Sequence, residues 1–189
     1  MRRVRYGVGM SLDGFTADVG DGPGGWWATQ PTTPPSHSLL LSIPLLFGRR
    51  SYEVTLRQGV RSYPGLRTYV FSRTLKAGDY PEVTLLAEGG VATIAELRAG
   101  SGKDIWLSGG GELFRSLLDA DLVDTVELGV VPILLGQGRP FLPSTSRSKH
   151  LRLTHQEAFP SGLLVLHYDV EKGAGEQGDE ADKVHAPAR

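Results

Sequence analysis

The chain has 189 residues, 40% of them hydrophobic, and a formal net charge of −1. It contains no cysteine, which excludes disulfides, thiolate nucleophiles and cysteine-ligated zinc or iron–sulfur centres. Its scattered basic residues give no nucleic-acid footprint, and no apolar run reaches the roughly 18 residues that span a bilayer. We therefore expect one cytoplasmic domain over residues 1–171, without a metal, membrane or nucleic-acid partner.

The first half of the chain predicts strands that stop at polar or glycine-containing turns. Apolar residues alternate over residues 2–10, which predicts a first strand, and residues 11–15 break it. A Gly/Pro-rich loop that carries Trp26 and Trp27 follows. The other predicted elements of this half are strands at 45–47 and 68–71 and a helix over 49–58.

The second half alternates strands and helices before it ends in a hairpin. An apolar stretch over 123–135 contains Pro132, which predicts a bulge or a sheet edge because proline cannot donate a ladder hydrogen bond. Residues 172–189 are rich in Gly, Ala and charge without periodicity, which predicts a disordered tail. The other predicted elements are strands at 83–87 and 105–107, a helix over 91–99, a helix after the glycines at 109–111, and hairpin strands at 151–159 and 163–170.

Three consecutive glycines, Gly109 to Gly111, join the strand at 105–107 directly to a helical pattern. A helix that begins straight after a strand presents unpaired N–H groups and the positive end of its dipole. Glycines at that place let an anion such as a pyrophosphate approach the backbone closely. A tight turn without any ligand explains the glycines equally well, and their spacing is not that of the Rossmann motif.

Strands that alternate with helices, followed by a strand pair, predict an α/β fold. We expect three layers, α/β/α, with one mixed and mainly parallel central sheet that ends in an antiparallel hairpin. Ligands of such sheets lie beyond the carboxyl ends of the parallel strands. Three predicted strand ends, at 48–51, 72–73 and 108–111, carry Arg, Ser or Gly. Because arginine binds phosphate through forked hydrogen bonds, these ends together favour a phosphorylated dinucleotide.

Characteristic motifs follow one another from residue 11 to residue 138. They are Ser-Leu-Asp-Gly-Phe-Thr-Ala at 11–17, Leu-Phe-Gly-Arg-Arg-Ser-Tyr-Glu at 46–53, Val-Phe-Ser-Arg-Thr-Leu at 70–75, Leu-Ser-Gly-Gly-Gly-Glu-Leu at 107–113, and Ala-Asp-Leu-Val-Asp at 120–124 leading to Pro-Ile-Leu-Leu-Gly-Gln-Gly at 132–138. In these motifs and their order the chain resembles the dihydrofolate reductase fold. The resemblance is to the branch that includes the C-terminal reductase domain of bacterial riboflavin biosynthesis, and to the stand-alone proteins of that branch.

The resemblance implies an NADPH-dependent oxidoreductase, similar to 5-amino-6-(5-phosphoribosylamino)uracil reductase or to dihydrofolate reductase. It implies hydride transfer to a C=N bond of a small pterin-, pyrimidine- or ribosylamino-type substrate. It further implies a loop at 11–17 over the nicotinamide, a cis peptide bond between Gly109 and Gly110, and a homodimer. The residues that it implies for cofactor binding are Gly48, Arg49, Arg50, Ser51, Ser72, Arg73, Ser108, Gly109, Gly110, Gly111, Glu112 and Leu113.

The source of the proton needed for C=N reduction is less clear from the sequence. Dihydrofolate reductases carry an acidic residue on the helix after the tryptophan loop, whereas here no Asp or Glu lies between Asp21 and Glu53. His37 is a candidate general acid, although a lone surface histidine is the competing interpretation. Asp13 is a candidate hydrogen-bond partner of the substrate, unless it only forms an Asp-Gly turn. The missing carboxylate favours an alternative function: an NADP(H)- or nucleotide-binding protein of the same fold without turnover.

Overall fold

Short strands and helices alternate through the chain, of which the computed structural model describes residues 1–17, 44–144 and 148–172. The predicted loop with Trp26 and Trp27, His37, and the predicted tail from residue 173 onward lie outside the described residues. No helix in the described ranges has both the length and the apolar character needed to cross a membrane. The strands are β1 Val4–Ser11, β2 Phe15–Ala17, β3 Leu45–Gly48, β4 Thr68–Phe71, β5 Thr84–Leu86, β6 Ile105–Leu107, β7 Thr125–Val131, β8 Arg139–Pro140, β9 Leu151–Ala158 and β10 Leu164–Val170. The helices are α1 Arg49–Arg57, α2 Gly90–Ala99 and α3 Gly111–Asp119, with a short 3-10 turn at Ala77–Asp79.

Eight of the strands form one sheet in the order β5-β4-β3-β6-β1-β7-β10-β9. Every neighbouring pair from β5 to β7 is parallel, whereas β10 pairs antiparallel with both β7 and β9. The sheet is therefore mixed and mainly parallel, and it ends in the hairpin of β9 and β10. This arrangement confirms the predicted fold class.

Helices cover both faces of the sheet, because successive side chains of a strand point to opposite sides. On one face, Tyr6 and Leu46 belong to a core cluster that includes Ile94 of α2 and Phe114 of α3. On the other face, Phe47 packs in a second cluster with Tyr52 of α1. Neighbouring residues of β3 thus reach different helices, which is why this strand is a continuous apolar run rather than an alternating one.

Pro132 does not have the predicted role. Strand β7 is an interior strand between β1 and β10, and it ends at Val131. The proline therefore marks neither a bulge nor a sheet edge but the residue after a strand, where it removes no ladder hydrogen bond. The two-stranded sheet of β2 and β8 was not predicted, because strands of three and two residues are too short for an alternation pattern.

Asp124 forms hydrogen bonds with three segments of the chain at the end of the sheet where β1 and β7 begin. Its carboxylate accepts hydrogen bonds from Arg98 at 2.6 and 3.1 Å, from the Lys172 ammonium at 2.5 Å and from the Val4 backbone N–H at 2.8 Å. Burial alone would raise the pKa of this carboxyl group, but the hydrogen bonds from Arg98, Lys172 and Val4 outweigh it and lower the pKa to about 2. The charged carboxylate therefore links the end of α2, the start of β1 and the residues after β10.

We predict that Asp124→Asn destabilises the fold at neutral pH and removes part of its acid sensitivity. The pKa of the folded state lies below the usual value of about 3.9, so the contribution is complete above about pH 4 and is lost as the pH falls towards 2. Urea unfolding near neutral pH should show a loss of roughly 2–3 kcal/mol, and the difference from wild type should shrink in acid. Glu96→Gln, on the exposed side of α2, is the control; an equal loss in both variants at neutral pH would contradict the prediction.

Candidate functional site

The candidate site forms where two strand-to-helix turns touch. Strands β3 and β6 are parallel neighbours, so their carboxyl ends lie side by side. Gly48 precedes α1 and Gly110 precedes α3, and neither helix start has a side-chain hydrogen-bond cap. A Cβ atom added to Gly110 would lie 3.5 Å from the Gly48 Cα and 3.5 Å from the Ser51 Oγ. Two helix N-termini without side-chain caps thus lie so close that one methyl group would fill the space between their glycines, an arrangement suited to an anion.

The glycine turn itself has a backbone that other residues adopt only with strain. Gly109 and Gly110 have φ values of 99° and 96°. The peptide bond between them is trans, so the cis bond implied by the resemblance is wrong for this structure. Two successive positive φ values make the sharp turn from β6 into α3 without it, and glycine is required at both positions for that reason.

A cavity of about 810 Å³ opens at this junction, and its lining brings together most of the predicted cofactor residues. Its volume lies in the range typical of small-molecule and cofactor sites. Ten of the twelve predicted residues line it: Gly48, Arg49, Arg50, Ser51, Ser108, Gly109, Gly110, Gly111, Glu112 and Leu113.

Ser72 and Arg73, the other two predicted cofactor residues, do not line the cavity. They follow β4, the strand next to β3 on the side away from β6. The Ser72 hydroxyl is occupied by the local turn, because it accepts hydrogen bonds from the backbone N–H groups of Thr74 at 3.2 Å and Leu75 at 3.0 Å. Arg73 is exposed to solvent. The two residues therefore lie one strand beyond the cavity.

Asp13 does not line the cavity either. Its carboxylate accepts hydrogen bonds from the Ser11 hydroxyl at 2.6 Å and from the backbone N–H groups of Leu135 at 3.1 Å and Gly136 at 2.7 Å. The hydrogen bond from Ser11, followed by those from Gly136 and Leu135, lowers the pKa of this carboxyl group. The geometry gives Asp13 a structural task, joining the turn after β1 to the loop before β8, while its catalytic role stays a prediction.

Among the described residues that line the cavity, arginines outnumber carboxylates. Arg49, Arg50, Arg57 and Arg139 line it, against the two carboxylates Glu53 and Glu112. The Arg49 guanidinium donates to Glu53 at 2.6 Å, and both side chains stay more than 30% exposed, at 38% and 33%. Arginines together with two helix N-termini favour an anionic ligand.

Several residues that line the cavity were not predicted from the sequence. Arg57 lies on the same face of α1 as Arg49 and Glu53, at the helical spacing of four residues, which is a signal that could have revealed it. Arg139 and Thr16 come from β8 and β2, whose pairing had no sequence signal. Tyr6 lines the cavity from β1, where alternation identifies only a core position. In the described part of the chain, no group of three or more His, Asp or Glu side chains is placed to bind a metal ion.

Residues 64–165 match the family model of the RibD C-terminal domain. Two proteins of Bacillus subtilis (strain 168), both described as uncharacterized, are similar in sequence. YwjB is 31% identical over 125 residues, covering 66% of this chain and 71% of its own length. YyaP is 26% identical over 179 residues, covering 88% of this chain and 94% of its own length.

Solved structures share the fold. A Shewanella sp. PV-4 protein assigned to riboflavin biosynthesis has a TM-score of 0.75 at 24% identity, over 91% of this chain and all of its own. The Thermotoga maritima diaminohydroxyphosphoribosylaminopyrimidine deaminase/5-amino-6-(5-phosphoribosylamino)uracil reductase has a TM-score of 0.65 at 19% identity, over 89% of this chain and 56% of its own. Dihydrofolate reductase from Enterococcus faecalis, in complex with NADP(H), has a TM-score of 0.59 at 15% identity, over 90% of this chain and 97% of its own. At these identities the likeness shows a dihydrofolate reductase-like fold.

We predict that Gly110→Ala disables the anion site more than it destabilises the fold. Alanine at a φ of 96° costs about 1–2 kcal/mol, and its Cβ would occupy the space between the two turns. Gly59→Ala is a matched control, because Gly59 has a φ of 79° with nothing within 4 Å of its added Cβ. Urea unfolding should show similar losses, whereas fluorescence titration with NADPH, the ligand expected from the sequence, should show weakened binding only for Gly110→Ala. Unchanged NADPH affinity in Gly110→Ala would remove this turn from the site.

Proposed function

Because the chain belongs to the RibD C-terminal domain family, we propose that it is an NADPH-dependent reductase. Its substrate would be a small pterin-, pyrimidine- or ribosylamino-type compound with a C=N bond. When bound, NADPH supplies the hydride, and the protein contributes binding, orientation and exclusion of water. The observation that carries this proposal is the pair of touching helix N-termini in a cavity rich in arginine.

The residues at the touching turns fit a pyrophosphate. Glycine at positions 109 and 110 leaves the backbone accessible to a ligand. The helix that follows these two glycines presents N–H groups without a side-chain cap. Ser51 adds a hydroxyl beside the turn, because its Oγ lies 3.4 Å from where a Gly109 Cβ would be. In this proposal Gly109 to Gly111 and Ser51 bind the pyrophosphate and thereby fix the position of the rest of the dinucleotide.

Arginines next to this turn are the reason why we propose a cofactor with an additional phosphate group. Arg49 is held in the first turn of α1 by its ion pair with Glu53, which fixes the guanidinium at the cavity. Arg73 and Ser72 follow β4, at the same carboxyl end of the sheet and one strand further from β6. An extended dinucleotide bound at the glycine turn can continue in that direction. We assign them, with Arg49, to the adenosine ribose and its 2′-phosphate.

The substrate class is supported by the relatives rather than by the cavity. The name of the Thermotoga maritima protein includes a uracil reductase activity, and the Enterococcus faecalis protein is a dihydrofolate reductase. Both reactions reduce a nitrogen-containing ring compound or its ribosylamino derivative. The cytoplasmic location expected from the sequence stays part of this proposal.

The alternative function, NADP(H) or nucleotide binding without turnover, is favoured by one feature of the cavity. Glu53 and Glu112 are the carboxylates among its described lining residues. Glu53 is paired with Arg49, and Glu112 interacts with Arg115 and has a side chain that is 72% exposed. Neither is a carboxyl group enclosed next to a substrate, so the proton in the main proposal comes from water or from a residue outside the described ranges.

A binding and turnover experiment separates the two functions. NADPH fluorescence is followed during titration with the wild-type protein, and NADPH absorbance is then followed with a panel of pterin and pyrimidine imines. Binding with oxidation of NADPH by a member of the panel supports the reductase. Binding without oxidation over the whole panel supports the alternative, and no binding at all overturns both.

We predict that Arg49→Ala and Arg73→Ala, combined in one variant, weaken NADPH binding much more than NADH binding. Each lost charged hydrogen bond to the 2′-phosphate should cost on the order of 1–3 kcal/mol, a contact that NADH lacks. Arg67→Ala, at an exposed position just before β4, controls for the loss of positive charge. Calorimetric titration with both cofactors measures the effect, and equal losses for NADPH and NADH would contradict the assignment.

A homodimer is the expected assembly, and the free end of the sheet offers a surface for it. All eight residues of the edge strand β9 are exposed. Leu151 and Leu153 pair with Val170 and Tyr168 of β10, so they share one face of the hairpin with Leu164. These leucines are 41%, 45% and 40% exposed. An apolar patch on an open sheet edge is characteristic of an association surface.

The hairpin also has charges suited to a second copy of itself. The register of β9 shifts at Thr154, which places Arg152 and Glu157 together on the face opposite to the leucines. Two antiparallel copies of β9 can therefore place Arg152 opposite Glu157 of the second copy. We propose that the second copy covers this end of the sheet.

Light scattering tests the dimer. The wild-type protein should have twice the 20.4 kDa mass of one chain, and Leu153→Lys should give the monomer mass. Leu134→Lys, which changes a 70% exposed leucine outside the hairpin, should remain dimeric. A monomeric wild-type protein, or a dimer that Leu153→Lys leaves intact, would exclude this surface.

A further inference from the structure

Three aromatic rings pack together beneath the start of α3. The Tyr6 ring stacks on Phe114 with centroids 3.9 Å apart and an interplanar angle of 15°. Phe141 contacts both, at centroid distances of 5.8 Å from Tyr6 and 5.4 Å from Phe114. Of these three rings, Tyr6 is the one that lines the cavity. The packing fixes its position, because Tyr6 is fully buried between the sheet and the helix.

The Tyr6 hydroxyl makes no hydrogen bond with any described residue. The other tyrosine buried to the same degree, Tyr52, donates its hydroxyl to the Arg61 backbone carbonyl at 2.7 Å. In the described part of the chain, the fully enclosed side-chain polar atoms without a partner are Thr68 Oγ1 and Asp119 Oδ1, so the Tyr6 oxygen is not fully enclosed and is open to the cavity that Tyr6 lines. The fold gains nothing visible from the oxygen atom of Tyr6, since a phenylalanine would make the same ring contacts.

We propose that the Tyr6 hydroxyl is a positioning group for the bound dinucleotide, to which it donates a hydrogen bond. This inference rests on the proposed function, because it takes the cavity to be the dinucleotide site. The register supports it: Tyr6 pairs with Leu107, the last residue of β6 before the glycine turn. Tyr6 is therefore level with the start of the turn that we assign to the pyrophosphate.

The side chain is suited to donate rather than to accept a proton. Burial raises the pKa of the Tyr6 phenol well above its usual value, so it stays protonated over the whole physiological range. The two rings that contact it, Phe114 and Phe141, have no hydrogen-bond acceptor. The acceptor is thus an oxygen of the ligand.

Tyr6→Phe in the full chain tests this inference, with Tyr52→Phe as the matched control. Thermal unfolding without ligand should leave Tyr6→Phe as stable as wild type or more stable, whereas Tyr52→Phe should unfold at a lower temperature. Fluorescence titration with NADPH should then show about threefold to tenfold weaker binding for Tyr6→Phe and unchanged binding for Tyr52→Phe. A parallel titration with 2′-phospho-ADP-ribose, which lacks the nicotinamide, shows which half of the dinucleotide accepts the hydrogen bond.

The outcomes separate this inference from the proposed function. If wild type binds NADPH and Tyr6→Phe binds it equally well, the inference is overturned while the cofactor site stands. If Tyr6→Phe unfolds at as low a temperature as Tyr52→Phe, the hydroxyl serves the fold and the inference is also overturned. If wild type binds neither NADPH nor 2′-phospho-ADP-ribose, the proposed function fails, and with it the ligand that this hydroxyl requires.

Discussion

Contact between two glycine turns is the constraint on which the candidate site depends. The chain passes outward through β3, β4 and β5 and then returns to place β6 between β3 and β1. This return brings the turn after β6 against the turn after β3, and two helices begin there at once. Gly110 makes the second of these turns with a φ of 96°, a backbone conformation that favours glycine. A reversal of strand order is where α/β sheets commonly bind ligands, so the cavity follows from the topology.

Charged residues have different roles at the two ends of the parallel strands. At the end where β1 and β7 begin, Asp124 is almost enclosed and is matched by Arg98, Lys172 and a backbone N–H. Charge there stabilises the fold. At the carboxyl end, arginines outnumber carboxylates among the described lining residues, and the helix starts lack side-chain caps. An excess of arginine at that end is suited to a ligand that brings negative charge with it.

Asp13 shows how an aspartate in a recognisable motif can serve structure. The sequence leaves open whether this residue contacts substrate or forms a turn. In the fold its carboxylate accepts hydrogen bonds from Leu135 and Gly136, which are 122 and 123 residues further along the chain. These bonds hold the loop at 135–136 beside the end of β1. That loop leads into β8, which pairs with β2 and carries Arg139 to the cavity. Any influence of Asp13 on binding can therefore pass through the position of Arg139.

The sequence by itself determined the fold class, the order of the helices and of the strands in the large sheet, and, together with the family resemblance, ten of the residues that line the cavity. It could do so because glycine turns, helix starts and alternating apolar residues are local signals read over a few neighbouring positions. Only the tertiary structure decided that Ser72 and Arg73 lie beyond the cavity and that Tyr6, Thr16 and Arg139 belong to it. Those residues are brought to the site by strand pairing and ring packing between distant segments, and such contacts leave no periodicity in the chain itself.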